Sequence, residues 1–142
     1  MDRCMISEMS TGYALIMALK AVISHVKTVK AGDTISYGRT FTADKDMRIA
    51  TVTIGYADGY SRLLSSKGEI LVHGKRCRIV GRICMDQLMI DVSDAEAEAG
   101  DIVTLIGRDG NDEITADELA SLYGTIGYEV VCGISKRVPR IF

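Results

Sequence analysis

ALKAVISHVKTVK, residues 18–30, is the stretch whose period decides the fold. Val22, Ser24, Val26 and Thr28 fall on one side of an extended chain, and Ala21, Ile23, His25 and Lys27 on the other. Successive side chains of a strand point to opposite faces, so this period of two, in a run rich in β-branched residues, predicts a strand over 15–30. Ala31, Gly32 and Asp33 then read as a turn. Working outward, RIATVTI at 48–54 is apolar on both faces and reads as a central strand. Residues 69–72 and 77–82 read as the arms of a hairpin, with Gly74 supplying the positive φ of its turn. MDQLMIDV at 85–92, residues 102–106 and EVVCGIS at 129–135 read as further strands, with 107–112 as a loop. Thr115 and Glu118 form a capping box for one short helix through Leu119 and Leu122, which Gly124 ends. Residues 1–12 show no period and read as a tail or truncation remnant, leaving 13–142 as the folded unit. The expected fold is a single, mostly β antiparallel domain with one short helix. A sandwich or a barrel would close it, because both shorten or remove exposed edges.

The composition agrees. The chain has 142 residues, 47% hydrophobic and 25% charged, enough for one domain with a core. Lys and Arg total 17 against 19 Asp and Glu, a net charge of −2, so no basic excess marks a nucleic-acid or membrane footprint. The longest uncharged apolar stretch, near 10–19, falls short of the roughly 20 residues a spanning helix needs. Asp2 and Glu8 stand where a signal peptide would be basic and apolar. The segment therefore reads as cytoplasmic and without membrane contact. Cys4, Cys77, Cys84 and Cys132 include no C-x-x-C pair, and His25 and His73 are far apart. That spacing argues against a metal site and for reduced, buried thiols. No repeat and no glycine-rich strand-to-helix loop is present, which excludes dinucleotide and P-loop readings.

Four short segments combine glycine with Tyr, Arg or Met between strands: Ser36-Tyr37-Gly38, Gly55 to Gly59, Gly81 to Gln87, and Gly127-Tyr128-Glu129. Turns on a rigid β scaffold are where sites are usually placed. Taken singly, each has a bland explanation; a Tyr beside Gly is often a half-buried ring with its hydroxyl in water. Together, AGDTISYGRTF (31–41), TVTIGYADGY (51–60), IVGRICMDQLMIDV (79–92) and GYEVVCGISKRVPRIF (127–142) closely resemble the C-terminal domain of alanine racemases. The resemblance covers about Leu19 to Phe142, with the four segments in the family's order. Thr53 departs from it, since many relatives carry proline there.

The resemblance implies a barrel-like β domain that completes the active site of the partner subunit in a homodimer. Pyridoxal phosphate would be held on a lysine of an N-terminal α/β barrel, which this chain lacks; such a barrel needs about 250 residues. Tyr37 matches the family's catalytic tyrosine, one of two bases that racemisation of a small amino acid needs on opposite faces of the α-carbon. A free phenol, with pKa about 10, needs neighbours to make it competent. Tyr56 and Tyr128 match residues of a narrow substrate entrance, and Tyr128 also matches a donor to the cofactor phosphate. Ile126 would line the same channel. Met85 matches the residue whose backbone N–H faces the substrate carboxylate. Arg82 and Asp86 flank it, either as substrate contacts or as a structural ion pair at the subunit contact. Asp58 is expected to hold its own turn, and neither histidine carries a catalytic expectation. The isolated chain is expected to be inactive and monomeric. A serine/alanine racemase parent, which would carry a membrane region, is an alternative; Tyr128 leans toward alanine. A free-standing, non-catalytic β interaction module is the other, and the joint presence of Tyr37, Tyr56, Met85 and Tyr128 argues against it.

Overall fold

The computed structural model describes the backbone of residues 4–11, 14–35 and 41–141, with side chains from residue 18 onward apart from 36–40, 128 and 140–142. Strand β2, Ala14–Val29, organises the rest. Its β-branched run extends for 16 residues, long enough to serve three neighbours in succession. Its first half pairs with β1, Cys4–Thr11, from Thr11↔Ala14 to Cys4↔Ala21. Its middle pairs on its other edge with β9, Ile102–Asp109, from Leu19↔Ile106 to Val22↔Ile102. Its last part pairs with β5, Met47–Val52, from Ile23↔Val52 to Val29↔Met47. The register shifts between Leu19 and Lys20 and between Ile23 and His25. Such bulges bend a strand and let it pass from one neighbour to the next.

From β5 the sheet continues antiparallel to β8 (Leu88–Asp91), β7 (Lys75–Val80) and β6 (Glu69–Val72). Strand β6 meets β9 at Leu71↔Thr104, and β9 returns to β2. These six strands form a closed ring, so the barrel expectation holds over the sandwich. β10 (Asp112–Ile114) lies outside β9, and β11 (Arg140–Ile141) pairs parallel with β1. The short pair β3 (Thr34–Ile35) and β4 (Phe41–Thr42) flanks residues 36–40. Leu19, Ala21, Ile23, Val52, Ile70, Leu88, Ile90, Val103 and Leu105 fill the barrel.

The structure corrects several expectations. Residues 1–12 were expected to form no element, yet β1 lies there and is held by eight paired positions on β2. His25, expected beside Ile23, is exposed because the bulge between them resets the alternation. The 85–92 strand begins only at Leu88, and of the expected 107–112 loop only 110–111 is a turn, since 107–109 end β9 and Asp112 begins the next strand. The 129–135 strand is instead helix α2, Gly127–Cys132. Its valines suggest a strand, but Gly127 and Val130, three residues apart, are buried while Glu129 and Cys132 face water. That spacing is a helical face, and tertiary packing overrides a weak local propensity. In the acidic loop after β8, Ala95 and Ala97 are buried while Asp94, Glu96 and Glu98 face water.

The hairpin turn between β6 and β7 carries positive φ at both His73 (50°) and Gly74 (78°). A two-residue turn of this hand matches strand twist. His73 is held by Asp101 at 2.9 Å, and that bond keeps the Asp101 carboxyl below its usual range.

Helix α1, Ala116–Tyr123, realises half of its capping box. Thr115 accepts from the Glu118 N–H at 3.0 Å, but the Glu118 carboxylate turns to Arg76, at 2.6 and 3.1 Å. Arg76 also donates to Asp112 (2.8 and 3.2 Å) and to the Glu113 carbonyl (2.8 Å), tying β7 to β10 and α1. The fork geometry of a guanidinium allows this sharing. Arg76→Met is expected to lower the melting temperature at neutral pH, because Asp112 and Glu118 would lose their common cation. Arg76 holds the Asp112 carboxyl below its usual range. That stability is therefore present above the unfolded pKa and is lost as pH falls through the lowered folded value. The deficit of the variant should accordingly shrink in acid, which thermal melts from pH 7 to pH 3 would read; a deficit independent of pH would contradict it.

Candidate active site

β5 and β7 end, and β8 begins, at one end of the barrel, because Val52 pairs with Leu88 and Val80 with Met89. The loops leaving that end are 53–61 and 81–87. The first carries a 3-10 turn, Tyr56–Asp58. The two loops lie backbone on backbone: the Tyr56 N–H donates to the Cys84 carbonyl and the Ala57 N–H to the Met85 carbonyl, both at 3.0 Å. Such close approach requires Gly55, where a Cβ would collide with the carbonyl oxygens of Cys84 and Met85.

Asp58 is 4% exposed and closes the turn, as expected, by accepting from the Gly55 N–H at 3.0 Å. The structure adds two partners. The Asp58 carbonyl accepts from the Ser135 N–H at 2.8 Å, and Gly59, at φ 102°, lies against Gly133 and Ile134 with no room for a Cβ. Arg137 pairs with Asp58 at 3.1 Å and with Asp86 at 2.7 Å. Three segments distant in sequence thus meet at one point.

Tyr56 and Met85 stand out from this frame, 40% and 52% exposed, although both are large and apolar. Arg62 lies over the Tyr56 ring at 5.4 Å, a cation–π contact. With Leu63, Ser65 and Arg82 it lines a cavity of about 310 Å³. Two guanidinium groups beside one cavity favour an anion such as a carboxylate. Tyr60 is not a proton-transfer candidate: it is 2% exposed, and burial pushes its phenol above the ordinary value. Cys77 is likewise inert, its thiol pushed up to about 11 by burial.

Of the expected site residues, the structure brings Tyr56, Met85 and Asp86 together, with Arg82 on the adjoining cavity. Ile126, 67% exposed, is the residue before α2 and joins this frame only through the far end of that helix, where Gly133 meets Gly59. Tyr128 lies in α2, with its side chain outside the described residues. Tyr37 falls in 36–40 and is also outside them. Arg62 and Arg137 were not anticipated. Arg137 lies 51 residues from Asp86, in a tail that reads only as basic, and no local pattern announces such a pair. Among the described residues, no group of three His, Cys, Asp or Glu is placed to hold a metal ion, and no helix is long and apolar enough to cross a membrane.

Fold and loops together define a closed β-barrel domain with a rigid, loop-built ledge at one end. The pattern of the family described as alanine racemase, C-terminal domain, matches residues 16–142, and the chain belongs to that family. It is 56% identical over 119 residues to the alanine racemase of Cutibacterium acnes, which covers 83% of this chain and 32% of that protein. It is 53% identical over 127 residues to that of Desulforamulus reducens, covering 89% and 34%. The structure superposes on alanine racemase from Bacillus anthracis with bound L-Ala-P at a TM-score of 0.85, with 50% identity, covering 89% of this chain and 32% of that one. For alanine racemase from E. faecalis the TM-score is 0.84 at 46% identity, covering 93% and 36%. The chain thus spans about a third of the length of these relatives.

Proposed function

We propose that this chain is the part of an alanine racemase that closes the substrate pocket of a partner subunit and supplies one of its two proton-transfer groups. The observation that carries the reading is the ledge itself. An exposed phenol and an exposed loop backbone are locked together beside two guanidinium groups, in a family one of whose solved members binds L-Ala-P.

The surroundings of the described residues support a task for each, and Tyr37 and Tyr128 take theirs from the family resemblance. The Met85 N–H would orient the substrate carboxylate; a backbone donor on a clamped loop fixes position at little entropic cost. Tyr56 would form a wall that admits a methyl side chain and crowds a larger one. Arg62 and Arg82 would draw a carboxylate toward the ledge. Asp86 borders the same loop, and Ile126 and Tyr128 would close the opposite side. The Tyr37 hydroxyl would take or return a proton at one face of the α-carbon.

The described lysines do not fit the anchor of pyridoxal phosphate. Lys27, Lys30, Lys45, Lys67, Lys75 and Lys136 are exposed, and Lys20 is half-buried in a strand. None has the desolvated surroundings that make an amine a ready nucleophile at neutral pH. The cofactor, whose chemistry is to stabilise a carbanion, would then belong to the portion of the relatives that this chain does not span. That portion and a second subunit of a homodimer would be this domain's partners.

The test is to join the domain to the N-terminal portion of a family member and follow L- to D-alanine and the reverse by circular dichroism. Racemisation of alanine in both directions, slower with serine, and none by this chain alone, is the expected result. A joined protein that dimerises and binds the cofactor but leaves alanine unchanged would overturn the reading.

A further inference from the structure

We infer that Arg137 is the positioning residue of the substrate ledge, a single guanidinium that holds the Tyr56 turn and the Met85 loop in one fixed geometry. The inference rests on the functional reading above. It concerns a residue that touches no reacting atom.

The two loops leave different strands and are joined backbone to backbone by two hydrogen bonds, Tyr56 to Cys84 and Ala57 to Met85. Ile54, Tyr60 and Ile83 anchor the loops in the core, but Tyr56 and Met85 stand exposed, and exposed segments open most readily. Arg137 supplies the missing constraint. Its Nε faces Asp58 Oδ1 at 3.1 Å and its Nη2 faces Asp86 Oδ1 at 2.7 Å. Asp58 lies in the turn beside Tyr56, and Asp86 directly follows Met85. The same guanidinium therefore grips one carboxylate in each of the loops that carry the proposed substrate contacts.

The carboxylate it grips on the turn side is itself fixed. Asp58 is 4% exposed, and its Oδ2 accepts from the Gly55 N–H. The arginine's own segment is fixed as well, through Ser135 N–H to the Asp58 carbonyl and Gly133 against Gly59. A planar fork with donors on separate nitrogens can span two carboxylates at once. A lysine ammonium, a point charge on a flexible stem, lacks the fork. Asp58 would remain buried and negative without a counter-ion in an apolar replacement, which favours the turn swinging toward water.

Because Arg137 holds groups that bind the substrate rather than groups that transfer its proton, its loss should weaken binding more than turnover. In a full-length racemase carrying this domain, Arg137→Met is expected to raise KM for alanine about tenfold while kcat falls less than about threefold. Arg137→Lys should fall between. Hydrogen exchange provides a second readout that does not depend on activity. The Tyr56 and Ala57 amides should exchange faster in Arg137→Met, while the β5 amides of Ile49 and Val52 keep their protection.

Unchanged KM with unchanged exchange at Tyr56 and Ala57 would overturn the inference, as would faster exchange across β5 as well, which marks general destabilisation. If the methionine variant does not fold, Arg137→Lys carries the test on the same two readouts, and wild-type values in both would overturn it. Failure of the functional reading looks different: the unsubstituted protein would not racemise alanine, while the amides at Tyr56 and Ala57 would still loosen without Arg137.

Discussion

Tyr37→Phe, in a full-length racemase carrying this domain, is expected to lower kcat for alanine by about 10²–10⁴ in both directions, the usual share of a positioned acid–base group. Racemisation must remove a proton from one face of the α-carbon and return one to the other. A single base would have to cross the substrate to do both, so each direction of the reaction uses both groups. Phenylalanine keeps the ring and deletes only the hydroxyl, so packing and cofactor binding should persist. Among the tyrosines, Tyr60 cannot substitute, being buried in the core with its phenol pushed up by that burial. Tyr56 stands exposed on the ledge, where the reading gives it a wall's role. Steady-state rates from each antipode, with the cofactor's absorbance as a control for binding, check the prediction. A change of less than threefold would remove Tyr37 from the chemistry.

Gly55→Ala has the largest effect expected from a change that adds one carbon. The new Cβ would run into the carbonyl oxygens of Cys84 and Met85. These are backbone atoms that no rotamer change can move aside. The backbone φ at Gly55, −152°, is open to any residue, so the cost comes from contact and not from local strain. Overpacking costs about 1–3 kcal/mol where side chains can adjust, and a backbone collision belongs at the upper end. The cheapest relief is to separate the two loops, breaking the Tyr56 and Ala57 hydrogen bonds. The variant should therefore melt several degrees lower and show a raised KM for alanine. Gly32→Ala makes a fair control for added bulk, since nothing lies within 4 Å of its Cβ, though its φ of 93° brings local strain. It should lower stability while leaving KM unchanged. A Gly55→Ala protein with wild-type melting and KM would show that the loops do not need this contact.

Much of the barrel was legible because its rule is local. Alternation marked β2 and the β6–β7 hairpin, and a glycine marked the turn between them. What escaped depends on distant partners. The closure of the ring rests on β2 passing from β9 to β5 between Val22 and Ile23, with a register shift on either side, and the sequence carries no mark of the bulge at Ser24. Val130 and Val131 favour strands locally, yet α2 forms because the fold buries Gly127 and Val130, three residues apart, on one face. Glu118 was assigned to its own helix cap, yet Arg76, 42 residues away, takes its carboxylate. An ion pair with a guanidinium outcompetes a backbone N–H.

The site divides in the same way. Tyr56, Met85 and Asp86 were marked by glycine-rich motifs, which signal a close backbone approach before the partner is known. Their tasks came from the family resemblance, since a Tyr beside a Gly has no chemistry that spacing alone reveals. Arg137 had neither motif nor period, and only the folded chain shows the two carboxylates it joins.

The central claim, that this domain supplies one of two bases acting on opposite faces, is tested most directly by isotope exchange. Tyr37→Phe enzyme would be incubated in deuterium oxide separately with L-alanine and with D-alanine, and incorporation of deuterium at the α-carbon followed by proton NMR. The account predicts that one antipode still exchanges, through the base on the partner portion, while exchange of the other falls with racemisation. Equal exchange of both antipodes, at the unsubstituted rate, would contradict it.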